Sequence, residues 1–171
     1  MEVRPADLSD IEPIQAIYAH HVRTGLASFE TEPPDSAELS RRYAQITEAG
    51  FPYLVAVNAG SVIGYAYASL FRTRAAYRFT VEDSVYVAPG FQGRGAGRML
   101  LTELIRRCTA QGLCQMLAVI GDSDNLASIA LHRACGFEDV GIMTRIGRKF
   151  DRWVDVVIMQ RALSAEEPRQ R

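Results

Sequence analysis

Apolar residues along this chain recur with two different periods, and the switches between them predict its elements. Residues 2–4 read as a short strand. Ile11, Ile14, Ile17 and Tyr18 then fall three and four residues apart, the spacing of one helix face, and Pro13 comes early enough in the first turn to be tolerated. Asp7 or Ser9 supplies the cap, because a short side-chain oxygen accepts a free first-turn N–H. Thr31-Glu32-Pro33-Pro34-Asp35 breaks the pattern, and Ser36–Glu48 reads as a second helix that ends at Gly50. Two apolar strands follow, Tyr53–Asn58 and residues 62–70, joined as a hairpin by Ala59-Gly60-Ser61. Residues 78–87 form the next strand, in which Thr80, Glu82, Ser84 and Tyr86 alternate onto one face, and Pro89-Gly90 ends it. Residues 95–111 read as a helix whose buried stripe is Leu100, Leu101, Leu104, Ile105 and Cys108, with Gly112 as its stop. A buried strand at residues 114–120, a helix at 125–135 stopped by Gly136, and strands at 137–145 and 153–160 complete the chain. The order β-α-α-β-β-β-α-β-α-β-β is that of an α/β (α+β) protein with a mixed sheet. Its β-α-β-α section implies parallel strands joined by crossover helices.

The chain has 171 residues, enough for one domain with its own core. Residues 1–163 read as that domain and 164–171 as a polar C-terminal tail. Apolar residues make up 48% and charged residues 23%, which excludes a disordered, collagenous or coiled-coil chain. No apolar run approaches the roughly 20 residues of a membrane helix, so no membrane partner is expected. The polar start, MEVRPADLSD, does not resemble a secretory signal. Cys108, Cys114 and Cys135 form no CxxC and read as reduced thiols, which places the protein in the cytoplasm. No metal site is expected. A net charge of −1 argues against bulk nucleic-acid binding. The charge is uneven, however. Residues 1–50 hold nine acids and four bases, whereas residues 71–110 hold seven bases and three acids. The glycines gather in the basic stretch, where a positive field would steer a small polyanion.

The strongest motif lies there, in Pro89-Gly90-Phe91-Gln92-Gly93-Arg94-Gly95-Ala96-Gly97-Arg98. An apolar strand runs into a glycine-rich turn that opens a helix. Glycine permits close backbone approach, and the first helical N–H groups together with the helix dipole favour an anion such as a pyrophosphate. Arg94 and Arg98 add side-chain charge. The loop lacks the Lys-Ser or Lys-Thr of a Walker A loop. Its GxGxG spacing differs from the dinucleotide fingerprint, and no acidic ribose ligand follows at the expected distance.

Gln92-x-x-Gly95-x-Gly97 resembles the Q/R-x-x-G-x-G/A acetyl-CoA pyrophosphate loop of the GNAT superfamily of N-acetyltransferases. The segment from Tyr77 to Val87, Phe29-Glu30-Thr31-Glu32-Pro33, Asn125-x-x-Ser128-x-x-Leu131-His132 and Gly147-x-Lys149-Phe150-x-x-Trp153 resemble its phosphinothricin and methionine-sulfoximine acetyltransferase branch. The resemblance implies a mostly antiparallel central sheet flanked by helices and acetyl-CoA as co-substrate. Gln92, Gly93, Arg94, Gly95, Ala96, Gly97 and Arg98 would hold the pyrophosphate. Val85, Tyr86 and Val87 would present strand amides, freed by a bulge and by splaying from the next strand, to the pantetheine arm and the thioester oxygen, with Val87 foremost. Asn125 and Ser128 would touch pantetheine, although Asn125 also suits a helix cap.

An amine must lose a proton before it attacks a thioester, and Glu82, on an apolar strand, is the candidate base. His132 stands where many relatives carry a tyrosine, and it is the candidate proton donor to the leaving thiol; packing alone is the alternative. Arg72, Arg74 and Arg78 suit a carboxylate on the acceptor, and Ser84 shares the face of Glu82. Phe29 and Tyr77 would form an apolar wall. The branch departs here at Phe71, where relatives carry tryptophan, and at Arg74, where others carry an aromatic. His20 and His21 read as surface or rim residues. The late hairpin with Lys149, Phe150 and Trp153 implies a homodimer, with that segment reaching the neighbour's pocket. The resulting expectation is acetylation of the α-amino group of a small, carboxylate-bearing amine. Acetylation of protein or peptide N-termini or of polyamines, and a non-catalytic CoA sensor, stay open at this level.

Overall fold

A computed structural model describes residues 1–163, so the expected tail at 164–171 lies outside the described residues. Seven strands form one sheet in the order β1-β2-β3-β4-β5-β7-β6. They are β1 (Glu2–Pro5), β2 (Tyr53–Asn58), β3 (Ser61–Leu70), β4 (Thr80–Val87), β5 (Gln115–Gly121), β6 (Glu138–Lys149) and β7 (Arg152–Ala162). The helices are α1 (Ile11–Thr24), α2 (Ser36–Glu48), α3 (Ala96–Ala110) and α4 (Leu126–Ala134). All strand pairs are antiparallel except β4 with β5. That pair alone fulfils the expected crossover. β5 and β6 do not pair, because β7 returns from its hairpin with β6 and inserts beside β5.

Two apolar layers cover the sheet. Leu100, Leu101, Leu104 and Cys108 of α3 pack with Val81, Met116 and Met159 on one face. Ile14, Tyr18 and Val22 of α1 pack with Val55 and Tyr65 on the other. β4 serves both, since alternate side chains point to opposite faces. Val81 and Asp83 turn toward α3 and α4, and Tyr86 turns toward α1 against Tyr18.

Local chemistry sets the element ends. Asp7 caps a short turn ahead of α1, accepting from the Ser9 N–H at 2.8 Å, while Asp10 accepts from the Asp7 N–H and from a two-pronged Arg4. Ala59 and Gly60 both take positive φ, as the tight turn between β2 and β3 requires. β4 starts at Thr80 rather than at Arg78, because Ala75–Tyr77 forms a tight helical turn that carries Arg78 with it. β6 and β7 run well beyond the expected 137–145 and 153–160. Phe150 and Asp151 close their hairpin in the left-handed region, a turn made without glycine or asparagine.

Candidate active site

The β4–β5 ladder is short. It joins Thr80 to Gln115 and ends at Asp83 and Ala118, yet β4 continues to Val87 and β5 to Gly121. The two strands therefore part. The hydrogen bonds at either end of β4 show which groups face the opening. The Phe79 carbonyl accepts from β5-side amides, the Thr80 carbonyl accepts from Phe71, and the Ala88 N–H donates to Ile63 on β3. Alternation then aims the N–H groups of Val85 and Val87 into the gap, where β5 no longer supplies acceptors. The expected splay is present. The expected bulge is not found in β4, whose register with β3 runs unbroken from Val81 to Val87. His21, expected as a surface or rim residue, is half-buried, and its Nε2 donates to the Val87 carbonyl at 2.9 Å while its ring packs on Tyr86.

Beyond Val87 the chain turns sharply. Gly90, Gly93 and Gly95 hold positive φ, and the Gly90 N–H donates to the Gln92 side chain at 2.9 Å. Gly95, at φ 91°, stands at the N-cap of α3 with no side-chain cap, so the first-turn amides are free for a ligand. Gln92, Gly93, Arg94, Gly95 and Arg98 are exposed, with Arg94 lying over the Phe91 ring. Ala96 is buried, and Gly97 serves packing: a methyl there would press on Leu131 of α4.

Glu82 lies on the α1–α2 face of β4, opposite Ser69 of β3. Burial pushes its carboxyl above the usual carboxylate range, the Asp83 charge pushes it further, and Arg72 opposes both. Asp83, on the opposite face, reaches His132 of α4 at 3.0 Å. The other ring nitrogen of His132 lies 2.7 Å from the Ser128 carbonyl, to which it must donate. Both groups are buried, and the second Asp83 oxygen has no partner among the described residues. Burial disfavours the imidazolium, but the Asp83 hydrogen bond and charge outweigh it and raise the His132 pKa. His132 thus lines the gap with both nitrogens engaged. Asn125 caps α4 by accepting from the Ser128 N–H at 3.2 Å, and its amide nitrogen points toward the Gly121 carbonyl at the end of β5.

Arg72, Arg74 and Tyr77 line a cavity of about 380 Å³ on the β3–β4 loop. Arg78 folds away from it over the Phe79 ring and donates to the Ala75 carbonyl. Phe29 and Tyr77 do not form one wall. Phe29 lies over Gly121 and Gly147 across the gap, whereas Tyr77 packs on Phe71. Lys149 does not reach outward. It is buried in its own chain, donating to the carbonyls of Gly25 and Ser28 at 2.9 and 2.7 Å, and burial lowers its pKa. It ties the loop after α1 to the end of β6. Asp83 and the inward Lys149 were not legible as parts of this arrangement, although strand alternation beside Glu82 was a signal for Asp83.

A sheet opened at a parallel pair, with free amides in the opening and an arginine-flanked helix start beyond it, suits an extended, phosphate-bearing ligand laid between two strands. The chain belongs to the acetyltransferase (GNAT) family, whose model matches residues 14–137. It is 54% identical over 163 residues to a phosphinothricin N-acetyltransferase of Alcaligenes faecalis, covering 95% of this chain and 83% of that protein. It is 43% identical over 159 residues to an L-methionine sulfoximine/L-methionine sulfone acetyltransferase of Pseudomonas aeruginosa, covering 92% of each. A solved phosphinothricin acetyltransferase of Sinorhizobium meliloti in complex with acetyl-CoA superposes with a TM-score of 0.94 at 49% identity, covering 98% of this chain and 92% of that one. The co-substrate is acetyl-CoA, and the residues fit it: the gap accepts an extended arm, and the glycine turn and arginines suit its pyrophosphate.

Proposed function

We propose that this enzyme acetylates the α-amino group of a small, carboxylate-bearing acceptor such as methionine sulfoximine, methionine sulfone or phosphinothricin, with Glu82 as general base. The observation that carries the reading is the desolvated Glu82 on the strand whose Val85 and Val87 amides face the gap. Acetyl-CoA supplies an activated acetyl thioester. The α3 N-terminus with Arg94 and Arg98 holds its phosphates, and Asn125 and Ser128 border its arm. The Val87 N–H, with Val85 beside it, stabilises the oxyanion that forms on attack. Glu82, with its raised pKa, takes the amine proton directly or through one water. Arg72 and Arg74 hold the acceptor carboxylate. His132 braces α4 to β4 through Asp83, and it donates to the leaving thiol only if it exchanges that partner.

The enzyme acts as a cytoplasmic homodimer. The β6–β7 hairpin exposes Val140, Ile142, Ile146, Phe150 and Trp153, an apolar surface that a second copy would cover. No nucleic acid or membrane takes part.

The test is release of CoA from acetyl-CoA with a panel of methionine sulfoximine, methionine sulfone, phosphinothricin, a short peptide and a polyamine. Saturable turnover on the amino-acid group, lost in Glu82→Gln while CoA still binds, supports the reading. Turnover on the peptide or polyamine alone, or a Glu82→Gln variant as active as the parent, refutes it.

A further inference from the structure

Beside Glu82, across its partner Ser69 on β3, lies a second cavity, which the reaction outlined above does not use. It measures about 230 Å³ and lies between α1, α2 and the faces of β2 and β3 that those helices cover. Its walls are aromatic. Tyr53 stacks on Tyr67 at 5.0 Å and on Tyr65 at 6.0 Å, with interplanar angles of 17° and 7°. Ser69 closes the end nearest Glu82, its cross-strand partner, so the two Cβ atoms are about 5 Å apart. Tyr67 stands opposite Ser84 on the neighbouring strand. Burial keeps the Tyr53, Tyr65 and Tyr67 phenols protonated at any ordinary pH, so they remain donors.

Charge decides what this cavity accepts. Arg42 stands at its rim, but it is already paired with Glu30 and Glu38, both at 2.6 Å. Glu38 is also paired with Arg41, so two cations meet two carboxylates and the rim has no charge to spare for an ionic side chain. The cavity of Arg72 and Arg74 differs, since its lining holds two arginines and no carboxylate. An amino acid held by its amine at Glu82 has two remaining arms, a carboxylate and a side chain. The carboxylate belongs with the arginines, and an uncharged side chain belongs with the tyrosines. A second anionic group, as in phosphinothricin, belongs with the arginines instead.

We propose that the tyrosine-lined cavity is the side-chain subsite of the acceptor, selecting uncharged side chains of aromatic or sulfonyl type. This rests on the acceptor reading given above. The volume equals that of about seven or eight liquid waters at about 30 Å³ each, ample for a phenyl ring or a methyl sulfone and poorly filled by a methyl group. Ring faces receive an aromatic group, and the phenol hydroxyls donate to sulfonyl oxygens.

The experiment compares kcat/KM for L-alanine, L-phenylalanine, L-methionine sulfone and L-glutamate at saturating acetyl-CoA. The parent should prefer phenylalanine and methionine sulfone to alanine at least tenfold, and place glutamate below methionine sulfone. Ser69→Leu, which narrows the cavity at its Glu82 end, should lower the phenylalanine-to-alanine ratio at least tenfold. Tyr67→Phe keeps the volume and removes one hydroxyl, and should lower the methionine sulfone-to-phenylalanine ratio at least threefold. Because it is so conservative, it tests the proposal even where Ser69→Leu fails to fold. Ratios unchanged within twofold in the folded variants, or a parent that prefers glutamate, overturn the subsite while leaving the acetylation reading intact. A parent that acetylates none of these acceptors nor those of the earlier panel overturns both.

Discussion

Replacing Asp83 with asparagine should reverse the sign of one pH dependence of stability. In the parent, Asp83 raises the pKa of buried His132 above its ordinary value despite the cost of burial. A raised folded pKa stabilises the fold fully below the unfolded value, about 6.5, and that contribution is lost as pH rises through the folded pKa. Without the Asp83 charge, burial, the largest influence, is opposed only by the bond to the Ser128 carbonyl and depresses the His132 pKa. The variant then holds its stability above about pH 6.5 and loses it as pH falls. His21, whose pKa burial lowers, titrates in both proteins and cancels in their difference. The pair is well shielded, with His132 and Asp83 side chains 5% and 2% exposed, so solvent screens it little. Breaking a buried pair by removing one partner costs about 3–5 kcal/mol, and asparagine keeps one oxygen for the imidazole, which favours the lower end. At about 2–4 °C per kcal/mol for a chain of this length, the variant should melt roughly 6–12 °C below the parent at acid pH, with the gap narrowing toward pH 8.5. Circular-dichroism melts in half-unit steps from about pH 5.5 to 8.5 measure this. Parallel melting curves, or a gap that widens with pH, would refute the assignment of that pair as the source.

Other consequences are checked as directly. The acidic limb of the kcat/KM profile should lie above the ordinary glutamate range, because burial raises Glu82; a limb in the ordinary range, or one that persists in Glu82→Gln, would remove Glu82 as the titrating base. Gly147→Ala places a methyl in the Phe29 ring, an overpacking worth about 1–3 kcal/mol, and Phe29→Ala in the same chain should recover part of the loss in a melt. Lys149→Met leaves the Gly25 and Ser28 carbonyls without their charged donor, which should cost about 1.5–3 kcal/mol and speed hydrogen exchange in residues 25–29. Trp153→Glu with Ile142→Glu should halve the mass seen by light scattering; a parent that is already monomeric discards the hairpin dimer.

Local signals carried much of this structure into view. The glycine turn, the Asn125 cap and the alternation that places Glu82 and Ser84 together depend on neighbours a few residues apart, and all three are present. The hairpin of β6 and β7 was foreshortened because Phe150 and Asp151 turn without the glycine or asparagine that marks such a site. The Asp83–His132 pair joins residues 49 positions apart, and Lys149 meets Ser28 across 121. Spacing along the chain carries no information about such partners. Phe29 was placed with Tyr77 on chemical likeness alone, whereas the missing side chains of Gly121 and Gly147 provide the bed on which it lies. The tyrosine cavity draws on α1, α2, β2 and β3, and it exists only once those elements are stacked.

The alternation of β4 has a consequence for how such a chain can change length. One strand of eight residues holds Glu82 toward one helical layer and Asp83 toward the other. Inserting a single residue upstream within it would carry Glu82 to the His132 side and leave Val81 at the acceptor, and deleting one would bring Asp83 to the acceptor and leave Ser84 facing His132. Changes of length are therefore confined to the turns on either side, at residues 71–79 and 88–95, while β4 itself can vary only by substitution.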